Sequence, residues 1–450
     1  MVETESQNIE ETLKHHIQAH NIKKICVSLS GGVDSIVLLY ALNQVVSKDI
    51  FIRAIHINHN LVKDSHSWAD FCKKTCDQSQ VQIDIHSVKV STTEGFGIEA
   101  AARKARYHTL QKSIQAGEWL MTAHHQDDQL ETILLRMARG TGVEGLQGIQ
   151  KQFEFGRGNI LRPLLGVTKN EILAYAGKKQ LDWVVDTSNQ ETYFDRNFLR
   201  MKVIPTLKER WPTFSSSVSR LSDISTQTST LLKELAEQDL GFNYPVKNLD
   251  IEVFNNKSIG RVINIIRFLI LKNGMPVPSM KVLNSGTNTL LNPKFVNPSM
   301  VWGDYCIKRY LDKLYFLKLS ELQPNRSNTS VNWSIDKPLV LDENGSTLAA
   351  TMVKGQGLSL KKCNKNLDVQ FRKGGESIRP VGHKITKKLK KLFQENHILP
   401  WVRDKIPLIY QKSELIGVGD LWFNRNYTAS TDEDGFIVNW IRNITIKHNC

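Results

Sequence analysis

The 450-residue chain has few of the features that mark disulfide-rich, zinc-binding or membrane-spanning proteins. Its six cysteines are scattered and no CxxC pair occurs, so neither a disulfide framework nor a zinc ribbon is expected. No apolar run approaches the roughly 18 to 20 residues that a membrane span needs. The acidic, polar start MVETESQNIEETLKHH has no apolar signal core. We therefore expect a cytoplasmic protein that does not contact a membrane.

Positive charge is in excess, with a formal net charge of +14 and a sequence pI near 9.3. Lysines and arginines gain affinity for a polyanion by displacing counterions from its phosphates, so this balance suggests a nucleic-acid partner. Simple solubility is the alternative. The length of the chain suggests two or three domains rather than one core.

In the first half of the chain, strand patterns alternate with amphipathic helix patterns. The predicted strands are Ile25–Leu29, Phe51–Ile57, Val81–Val88 and Trp119–Ala123. The predicted helices are Ile36–Val46, Gly97–Ile114 and Gln129–Ala138. The strands recur at a spacing of about thirty residues, which is the length of a strand-helix-strand unit, so we expect a parallel sheet with helices on both faces.

The second half changes character after a Ser/Thr-rich stretch that begins at Ser215. Predicted features there are helices Val218–Leu240 and Ile259–Lys272, short strands within Met300–Leu317, a linker Gln323–Asn332, and a strand-rich end with one basic helix Thr386–Glu395. We therefore expect three domains: an α/β domain over residues 1–214, a mainly helical domain over 215–325 and a small α+β domain over 335–450.

The segment SLSGGVDS closes the first predicted strand and opens the first helix. Glycines at this point let backbone N–H groups approach phosphate oxygens, and the helix N-terminus adds a positive dipole end. Neither a Gly-Lys-Ser/Thr P-loop nor a GxGxxG fingerprint is present. A glycine turn alone is often only a turn, but SGGVDS resembles the PP-loop of the ATP pyrophosphatases. That resemblance implies pyrophosphate binding by Ser30, Gly31, Gly32, Val33, Asp34 and Ser35.

Three further clusters lie where an open parallel sheet places its ligands, beyond the carboxyl ends of strands. They are HINHNL with His56, EAAARKARY with Arg106, and AHHQDDQLET with His124, Asp127 and Asp128. The two adjacent carboxylates can bind Mg²⁺ or receive a cationic amine. Capping of backbone amides at a helix start is the alternative for either carboxylate.

Two rival functions fit parts of this pattern. A metal-dependent phosphoesterase would use His56, His59, His124, His125, Asp127 and Asp128 as a dinuclear site, but such an enzyme has no need of a glycine phosphate loop. A PP-loop tRNA thiolase would be expected to use CxxC pairs. In this chain Cys72 and Cys76 are spaced CxxxC, which favours buried small apolar side chains.

Together the motifs resemble the tRNA(Ile)-lysidine synthetases. Those that carry the resemblance are SGGVDS, HINHNL, EAAARKARY, AHHQDDQLETILLRMARGTG, RPLL and DTSNQETYFDRNFLR, and Phe371–Tyr410 is similar to the family's distal domain. This segment departs from the family in two places, because the family's distal motif usually has Arg near Glu376-Ser377 and Ser near Lys384. The resemblance implies a doubly wound, adenine nucleotide alpha hydrolase-like first domain.

The resemblance also implies the reaction. An enzyme of this family adenylates the 2-carbonyl oxygen of the first anticodon cytidine of an isoleucine tRNA with a CAU anticodon. It then attaches the lysine side-chain amine to form lysidine, and releases AMP and pyrophosphate. Codon reading changes from AUG to AUA and tRNA identity from Met to Ile. The implied partners are that tRNA, ATP, L-lysine and Mg²⁺, with a monomer or homodimer expected.

Residue roles follow from the same resemblance as hypotheses. His56 and the six loop residues bind ATP; Asp34, Arg106, His124, Asp127 and Asp128 are catalytic, and Asp34 and Asp128 also hold Mg²⁺. The predicted tRNA contacts are Arg196, Arg200, Lys384, Lys387, Lys388 and Lys391, although a structural salt bridge is equally consistent for the two arginines. Between Phe371 and Lys391 there are eight Lys or Arg residues against one Glu. A helix over this segment would place its lysines on one face and Ile385, Leu389, Leu392 and Phe393 on the other.

Overall fold

The computed structural model describes residues 9–58, 65–88, 98–185, 193, 195–242, 244–323, 330–342 and 345–442. Contacts within the chain divide it into two compact units, Met1–Leu231 and Leu232–Cys450. The finer division into three domains stays a prediction. No helix of the described ranges combines the length and the apolar character that crossing a membrane requires.

The first unit is built on a six-stranded sheet with the order β3-β2-β1-β4-β6-β5. Its strands are β1 Lys24–Ser28, β2 Phe51–Asn58, β3 Gln82–Ser87, β4 Trp119–Met121, β5 Gln152–Phe155 and β6 Gly158–Leu161. All neighbouring strands run parallel except the edge strand β5, which is antiparallel to β6. The four strands predicted from the sequence are therefore the first four strands of this sheet in chain order.

The helices of this part of the chain are α1 Ile9–Ala19, α2 Val33–Val45, α3 Ser65–Gln78, α4 Ile98–Ser113, α5 Gln126–Ala138, α6 Val143–Leu146, α7 Lys169–Lys178, α8 Asp195–Phe198, α9 Ile204–Arg210 and α10 Phe214–Leu240, with a π-helical turn Leu199–Val203 between α8 and α9. Helices α1, α2, α3 and α7 pack against one face of this sheet and α4 packs against the other. Helix α10 begins in the first unit and ends in the second.

The alternation of side chains along β1 explains why the sheet has two cores. Ile25 and Val27 point to one face, where they pack in a cluster with α1, α2, α3 and α7. Cys26 points to the opposite face and packs with Leu110 of α4. Successive strand residues alternate between faces, so a strand that is apolar throughout needs a helical layer on each side. This arrangement confirms the predicted doubly wound parallel sheet.

A buried ion pair links two strands to the start of a third at one edge of the sheet. Arg53 of β2 is 3% exposed and donates from Nε to Glu118 Oε1 at 2.6 Å and from Nη2 to Glu118 Oε2 at 2.7 Å. Its Nη1 donates to Asp84 Oδ2 of β3 at 2.6 Å. This bidentate geometry is the strongest form of such a pair. Because Glu118 directly precedes β4, the pair lies towards the amino ends of the strands, opposite their carboxyl ends.

The second unit contains antiparallel sheets and, in its first part, the end of α10 and two further helices. Its first sheet has the order β7-β10-β9-β8. The elements around it are the end of α10, β7 Asn248–Asp250, α11 Ile259–Lys272, α12 Met280–Leu291, β8 Ser299–Trp302, β9 Tyr305–Tyr310 and β10 Lys313–Lys318. Helices α11 and α12 pack Ile266, Leu269 and Leu283 into the core of this part. The predicted helical middle is therefore confirmed, with strands appended to it.

The remainder of the second unit is strand-rich, as predicted. Its strands are β11 Val331–Ser334, β12 Leu339–Val340, β13 Thr347–Lys354, β14 Leu358–Ser359, β15 Asn366–Gln370, β16 Ser377–Ile378, β17 Lys387–Lys388, β18 Leu408–Gln411, β19 Glu414–Val418, β20 Trp422–Phe423 and β21 Asp434–Ile441, with the helix α13 Leu389–Glu395. The sheet orders are β11-β15-β18-β19-β20, β12-β13-β21-β14 and β16-β17.

The structure corrects the predicted basic helix, which was expected to begin at Thr386. Lys387 and Lys388 instead form a strand that pairs with Ser377–Ile378, and the helix begins at Leu389. Ile385 is consequently 67% exposed, although the helical pattern predicted it to be buried. The prediction holds for the last three apolar positions, which are buried. A helical periodicity that is read over the local segment could not detect the pairing of Lys387 and Lys388 with an earlier strand.

Candidate functional site

A cavity of about 280 Å³ lies beyond the carboxyl ends of β1 and β4, the two strands at the centre of the sheet. The chain leaves β1 towards β2 and β3 on one side, whereas β4 leads to the other side. The strand order therefore reverses here, which is where open α/β sheets bind ligands. The lining side chains that matter below are Ser30, Asp34, Arg106, His124, Asp128 and Arg200. We call this cavity the nucleotide pocket.

The loop between β1 and α2 forms one wall of the nucleotide pocket. Gly31 has a φ of +90°, a conformation that residues with a Cβ adopt only under strain. The hydroxyl of Ser35 accepts from Ser30 N at 3.2 Å and donates to Gly32 O at 2.9 Å, which closes the loop on itself. The helix begins at Val33, so first-turn N–H groups without intrahelical partners face the loop's surroundings. The loop is therefore held in a shape suited to an anion.

Asp34 and Asp128 come together in the pocket around His125. The Nε2 atom of His125 lies 3.7 Å from Asp34 Oδ1 and 3.5 Å from Asp128 Oδ2. The backbone N–H of His125 also donates to Asp128 Oδ2 at 3.1 Å, so Asp128 caps the start of α5 as well. Although burial raises the pKa of Asp128, the neighbouring His125 and Arg196 and the hydrogen bond from the His125 backbone outweigh it and hold that pKa below its ordinary value. Asp128 is therefore a carboxylate at neutral pH.

Asp127 has a different environment from its neighbour. It does not line the nucleotide pocket. One of its oxygens accepts from Lys208 Nζ of α9, and the other accepts from the backbone N–H of Lys169 at 3.3 Å. Lys169 Nζ in turn donates to Asp34 Oδ1 at 2.5 Å. Asp127 thus connects the starts of α5 and α7 to α9, while the catalytic role predicted for it remains untested.

Positive charge surrounds the opposite wall of the pocket. His124 Nδ1 lies 2.8 Å from Thr122 Oγ1. Burial lowers the pKa of His124 to about 3, with Asp128 opposing this shift and Arg162, Arg103 and Arg106 adding to it. His124 is therefore a neutral hydrogen-bonding group at pH 7. Burial also lowers the pKa of Arg106, whose guanidinium lies 5.7 Å from the centre of the Tyr107 ring.

Arg196 and Arg200 are anchored on one buried carboxylate, that of Glu131. Arg196 Nε lies 2.7 Å from Glu131 Oε2 and Arg200 Nε lies 2.6 Å from Glu131 Oε1. The Nη2 atoms of the same arginines lie near Asp128 Oδ1, at 3.6 Å for Arg196 and 3.9 Å for Arg200. The salt-bridge alternative for these arginines is thus present in the structure. Their contact with tRNA stays a prediction.

His56 lies near the end of β2, behind the loop and not among the residues that line the pocket. Its side chain is 4% exposed, and its Nδ1 lies 2.9 Å from the carbonyl oxygen of Leu29. Burial lowers the pKa of His56, so the ring is neutral and supports the end of β1. ATP binding by His56 stays a prediction.

Several residues that were not assigned from the sequence to the predicted ATP-binding and catalytic site lie in or beside it in the structure. They are Arg103, His125, Glu131, Lys169 and Lys208. Glu131 carries a usable signal, because it follows Asp128 by three residues on α5 and helical spacing places the two on one face. Lys169 and Lys208 carry none, since they meet Asp34 and Asp127 across 135 and 81 residues of chain.

Comparison with known proteins gives the chain a family. Residues 5–207 match the model of a PP-loop domain, and residues 367–440 match that of a TilS substrate C-terminal domain. The tRNA(Ile)-lysidine synthase of Coxiella burnetii is 35% identical over 95% of this chain and 96% of its own length. That of Alkalilimnicola ehrlichii is 34% identical over 93% of this chain and 94% of its own length.

The chain belongs to the tRNA(Ile)-lysidine synthase family. A third relative, the tRNA(Ile)-lysidine synthase of Serratia proteamaculans, is 35% identical over 90% of this chain and 92% of its own length. Membership of the family confirms the resemblance inferred from the motifs. It also identifies the β1–α2 loop as part of a PP-loop domain, whose ATP use was predicted.

The rival functions have less support than the tRNA(Ile)-lysidine synthase family. Within the described residues, no group of three or more His, Cys, Asp or Glu side chains could hold a metal ion; His59 lies outside them. Cys72 and Cys76 are fully buried, and burial raises the pKa of each thiol to about 12. Such thiols are inert, so they do not resemble the reactive pair expected of a thiolase.

The four lysines of the distal segment that are predicted to bind tRNA differ in whether a carboxylate contacts them. Lys384 and Lys388 are exposed. Lys387 Nζ lies 2.8 Å from Glu395 Oε2, and Lys391 Nζ lies 3.9 Å from Glu395 Oε1. Lys384 and Lys388 are better placed to bind a phosphate, because a carboxylate already contacts Lys387. The role of all four stays a prediction.

Proposed function

We propose that this chain forms lysidine in an isoleucine tRNA with a CAU anticodon, using ATP and L-lysine. The observation that supports this most directly is the convergence of three groups in one pocket: a phosphate-binding loop, the Asp34–Asp128 carboxylate pair and several guanidinium groups. The loop suits a polyphosphate, the carboxylate pair suits a cationic amine, and the guanidinium groups suit the negative charge that develops when the carbonyl oxygen attacks the α-phosphate. Together they match a ligase that activates a carbonyl with ATP before an amine attacks.

The first step activates the cytosine. Its 2-carbonyl oxygen attacks the α-phosphorus of ATP, the bond from that phosphorus to the bridging oxygen breaks, and pyrophosphate leaves with the bonding electrons. The N–H groups at the start of α2 and the Ser30 and Ser35 hydroxyls bind the departing pyrophosphate. Arg106 and neutral His124 donate to the negative charge that develops near the α-phosphate.

Mg²⁺ fits the carboxylate side of the pocket. Asp34 and Asp128 supply oxygen ligands from two elements, and this cation commonly binds through one or two carboxylates plus substrate phosphates. The bound ion would neutralise phosphate charge and favour departure of pyrophosphate. Lys169 already contacts one oxygen of Asp34, so Asp128 is the more available ligand.

In the second step, the lysine side-chain amine attacks C2 of the adenylated cytosine. The new C–N bond forms, the C2–O bond breaks with its electrons on oxygen, and AMP leaves. The amine arrives as an ammonium and must lose protons, for which Asp128 is the more available carboxylate of the pair in the pocket. An ammonium beside Asp34 has a precedent in the chain itself, since Lys169 Nζ lies 2.5 Å from Asp34 Oδ1.

A reconstitution with pure components tests this proposal. We expect equal amounts of AMP and pyrophosphate, together with a nucleoside that has the mass of cytidine plus lysine less water. The nucleoside should require ATP, L-lysine and the CAU isoleucine tRNA together. Norleucine, which has no side-chain amine, and a methionine tRNA with the same anticodon are the controls. Formation of the modified nucleoside without lysine, or a sulfur-containing product, would contradict the proposal.

The distal lysines give a separate prediction about tRNA binding. The double variant Lys384→Glu/Lys388→Glu should weaken tRNA binding and its salt dependence. The slope of log Kd against log salt concentration should fall by about 0.9 for each phosphate that the protein no longer neutralises. Filter binding at several salt concentrations measures both effects.

The matched control for this double variant is Lys337→Glu/Lys361→Glu. It makes the same charge change at exposed positions outside Phe371–Lys391. The control should bind tRNA more tightly than the distal variant at every salt concentration. An equal loss of affinity in the two double variants would assign the effect to net charge instead of to this segment.

A further inference from the structure

A second cavity, of about 290 Å³, adjoins the nucleotide pocket. Its lining includes Arg103, Arg136 and Arg162, together with Thr132, Gln147 and Phe153. Arg103 lines both cavities, so the two share a wall. None of the loop residues from Ser30 to Ser35 lines the second cavity, which we call the arginine pocket.

Two of the three arginines of this pocket have carbonyl and hydroxyl partners in place of carboxylates. Arg136 Nη1 donates to Gly145 O at 2.9 Å and to Gly148 O at 2.8 Å. Arg162 donates to the carbonyl oxygen of Gln150 and, at 3.3 Å, to the hydroxyl of Tyr107. The guanidinium of Arg103 lies over the Tyr107 ring, 5.0 Å from its centre. The positive charge of this group of side chains is therefore available to an anion.

One donor in the pocket is buried and has no acceptor. Arg162 is 4% exposed, and its Nε has no hydrogen-bond partner among the described residues. Burying a charged donor without a partner is costly, so an acceptor in the cavity towards which this guanidinium can turn would lower that cost. Among the described lining residues, Glu144 is the one acid against three guanidinium groups. Burial, followed by the charge of Arg103, lowers the pKa of Arg136, which is consistent with like charges held close together.

We propose that the arginine pocket binds a backbone phosphate of the tRNA, one that flanks the nucleotide entering the nucleotide pocket. Guanidinium forks match the oxygens of a phosphate, and their contacts position an RNA strand without reading its sequence. The ATP phosphates are a weaker candidate because the phosphate loop lies in the other cavity. This inference rests on the proposed function and adds a subsite for its substrate.

Arg136→Gln tests the subsite, because Arg136 lines the arginine pocket and not the nucleotide pocket. We expect the KM for tRNA to rise about fivefold to tenfold and the salt slope of tRNA binding to fall by about one. The KM values for ATP and lysine should change less than about twofold, as expected for a pure phosphate contact. The control is Arg139→Gln, next to the same helix, 72% exposed and lining neither cavity. An unchanged KM for tRNA in Arg136→Gln would overturn the proposal.

A phosphate scan distinguishes the two sources of phosphate. Single methylphosphonates, which remove one negative charge, are placed in turn at each anticodon-loop phosphate of the tRNA. Wild-type protein should lose affinity when the phosphate at one position is replaced. Arg136→Gln should lose no further affinity at that position, since the variant already lacks the contact. If no position shows this, and Arg136→Gln instead raises the KM for ATP or weakens inhibition by pyrophosphate, then the pocket serves the ATP phosphates and the proposal is wrong.

Arg136 also holds the carbonyls of Gly145 and Gly148, so its replacement could disturb that loop. Arg136→Lys keeps the charge but loses the fork, and Arg103→Gln removes an exposed guanidinium from the shared wall. Both should weaken tRNA binding, and Arg103→Gln should do so without lowering the melting temperature. If wild-type protein modifies the tRNA but no phosphate position depends on these arginines, that result contradicts the subsite alone. Wild-type protein that forms no lysidine contradicts the proposed function.

Discussion

Replacing Asp128 by asparagine should reduce AMP formation about 10²-fold to 10⁴-fold, the range typical of losing a general base or a charged group at a reacting centre. Asp128 is ionised, lines the nucleotide pocket and lies 3.5 Å from His125 Nε2. Asparagine keeps the shape of the side chain but cannot take a proton from an ammonium or neutralise a metal ion. Single-turnover formation of AMP and pyrophosphate measures the loss.

Asp127→Asn is the matched control, because it makes the same change one residue earlier. Asp127 contacts Lys208 and the backbone of Lys169 instead of lining the pocket. We expect it to lose less than about tenfold in rate, and to lose stability by about 1 kcal/mol, the usual cost of a partly exposed charged contact. Equal losses in rate for the two variants would show that Asp128 has no role in the reaction that its neighbour lacks.

Glu131→Gln should be the second most damaging change. Glu131 is 1% exposed and accepts from both Arg196 and Arg200. Removing its charge leaves two guanidinium groups without their anion, which costs about 3 kcal/mol of unfolding free energy in a buried setting. The freed arginines would turn to Asp128, whose Oδ1 is already 3.6 Å from Arg196. Competition for that carboxylate should lower the rate about 10²-fold, in line with losing a preorganised charge.

Glu118→Gln separates the loss of activity from the loss of stability. Glu118 is also 1% exposed and holds Arg53 at the opposite edge of the same sheet. It should lose a similar unfolding free energy, measured by urea titration, while the folded protein keeps its rate of AMP formation. If Glu131→Gln is destabilised as expected but equally active, Glu131 has only a structural role. Glu131→Asp, which keeps the charge, should recover part of the rate.

The fold of the first unit could be predicted because its signals are local. Strands β1, β2 and β4 are mostly apolar, and β3 alternates apolar with polar residues. Helical repeats of apolar residues follow most of these strands, so the order of elements is written in neighbouring residues. The phosphate loop is equally local, since a glycine turn must lie between a strand and a helix to be of use. The predicted basic helix was wrong for its first part because Lys387 and Lys388 pair with the separate strand Ser377–Ile378.

The candidate site was only partly predictable, and the two adjacent aspartates show why. Consecutive helix residues point about 100° apart, and here Asp128 faces the pocket while Asp127 faces Lys208. The sequence does not say which of them faces the pocket. That choice depends on the rotation of α5 about its axis, which the packing of Leu130 and Ile133 against Ile204 and Val218 sets.

The sequence by itself determined the parallel sheet, the place of the phosphate loop and the family of the chain, because each depends on residues close together in the chain. The tertiary structure alone decided which charges meet: Lys169 with Asp34, Lys208 with Asp127, and Glu131 with Arg196 and Arg200. It also brought Arg103, Arg136 and Arg162 around one cavity. The physical reason is that an ion pair needs only proximity in space, and packing brings together residues that no local pattern links.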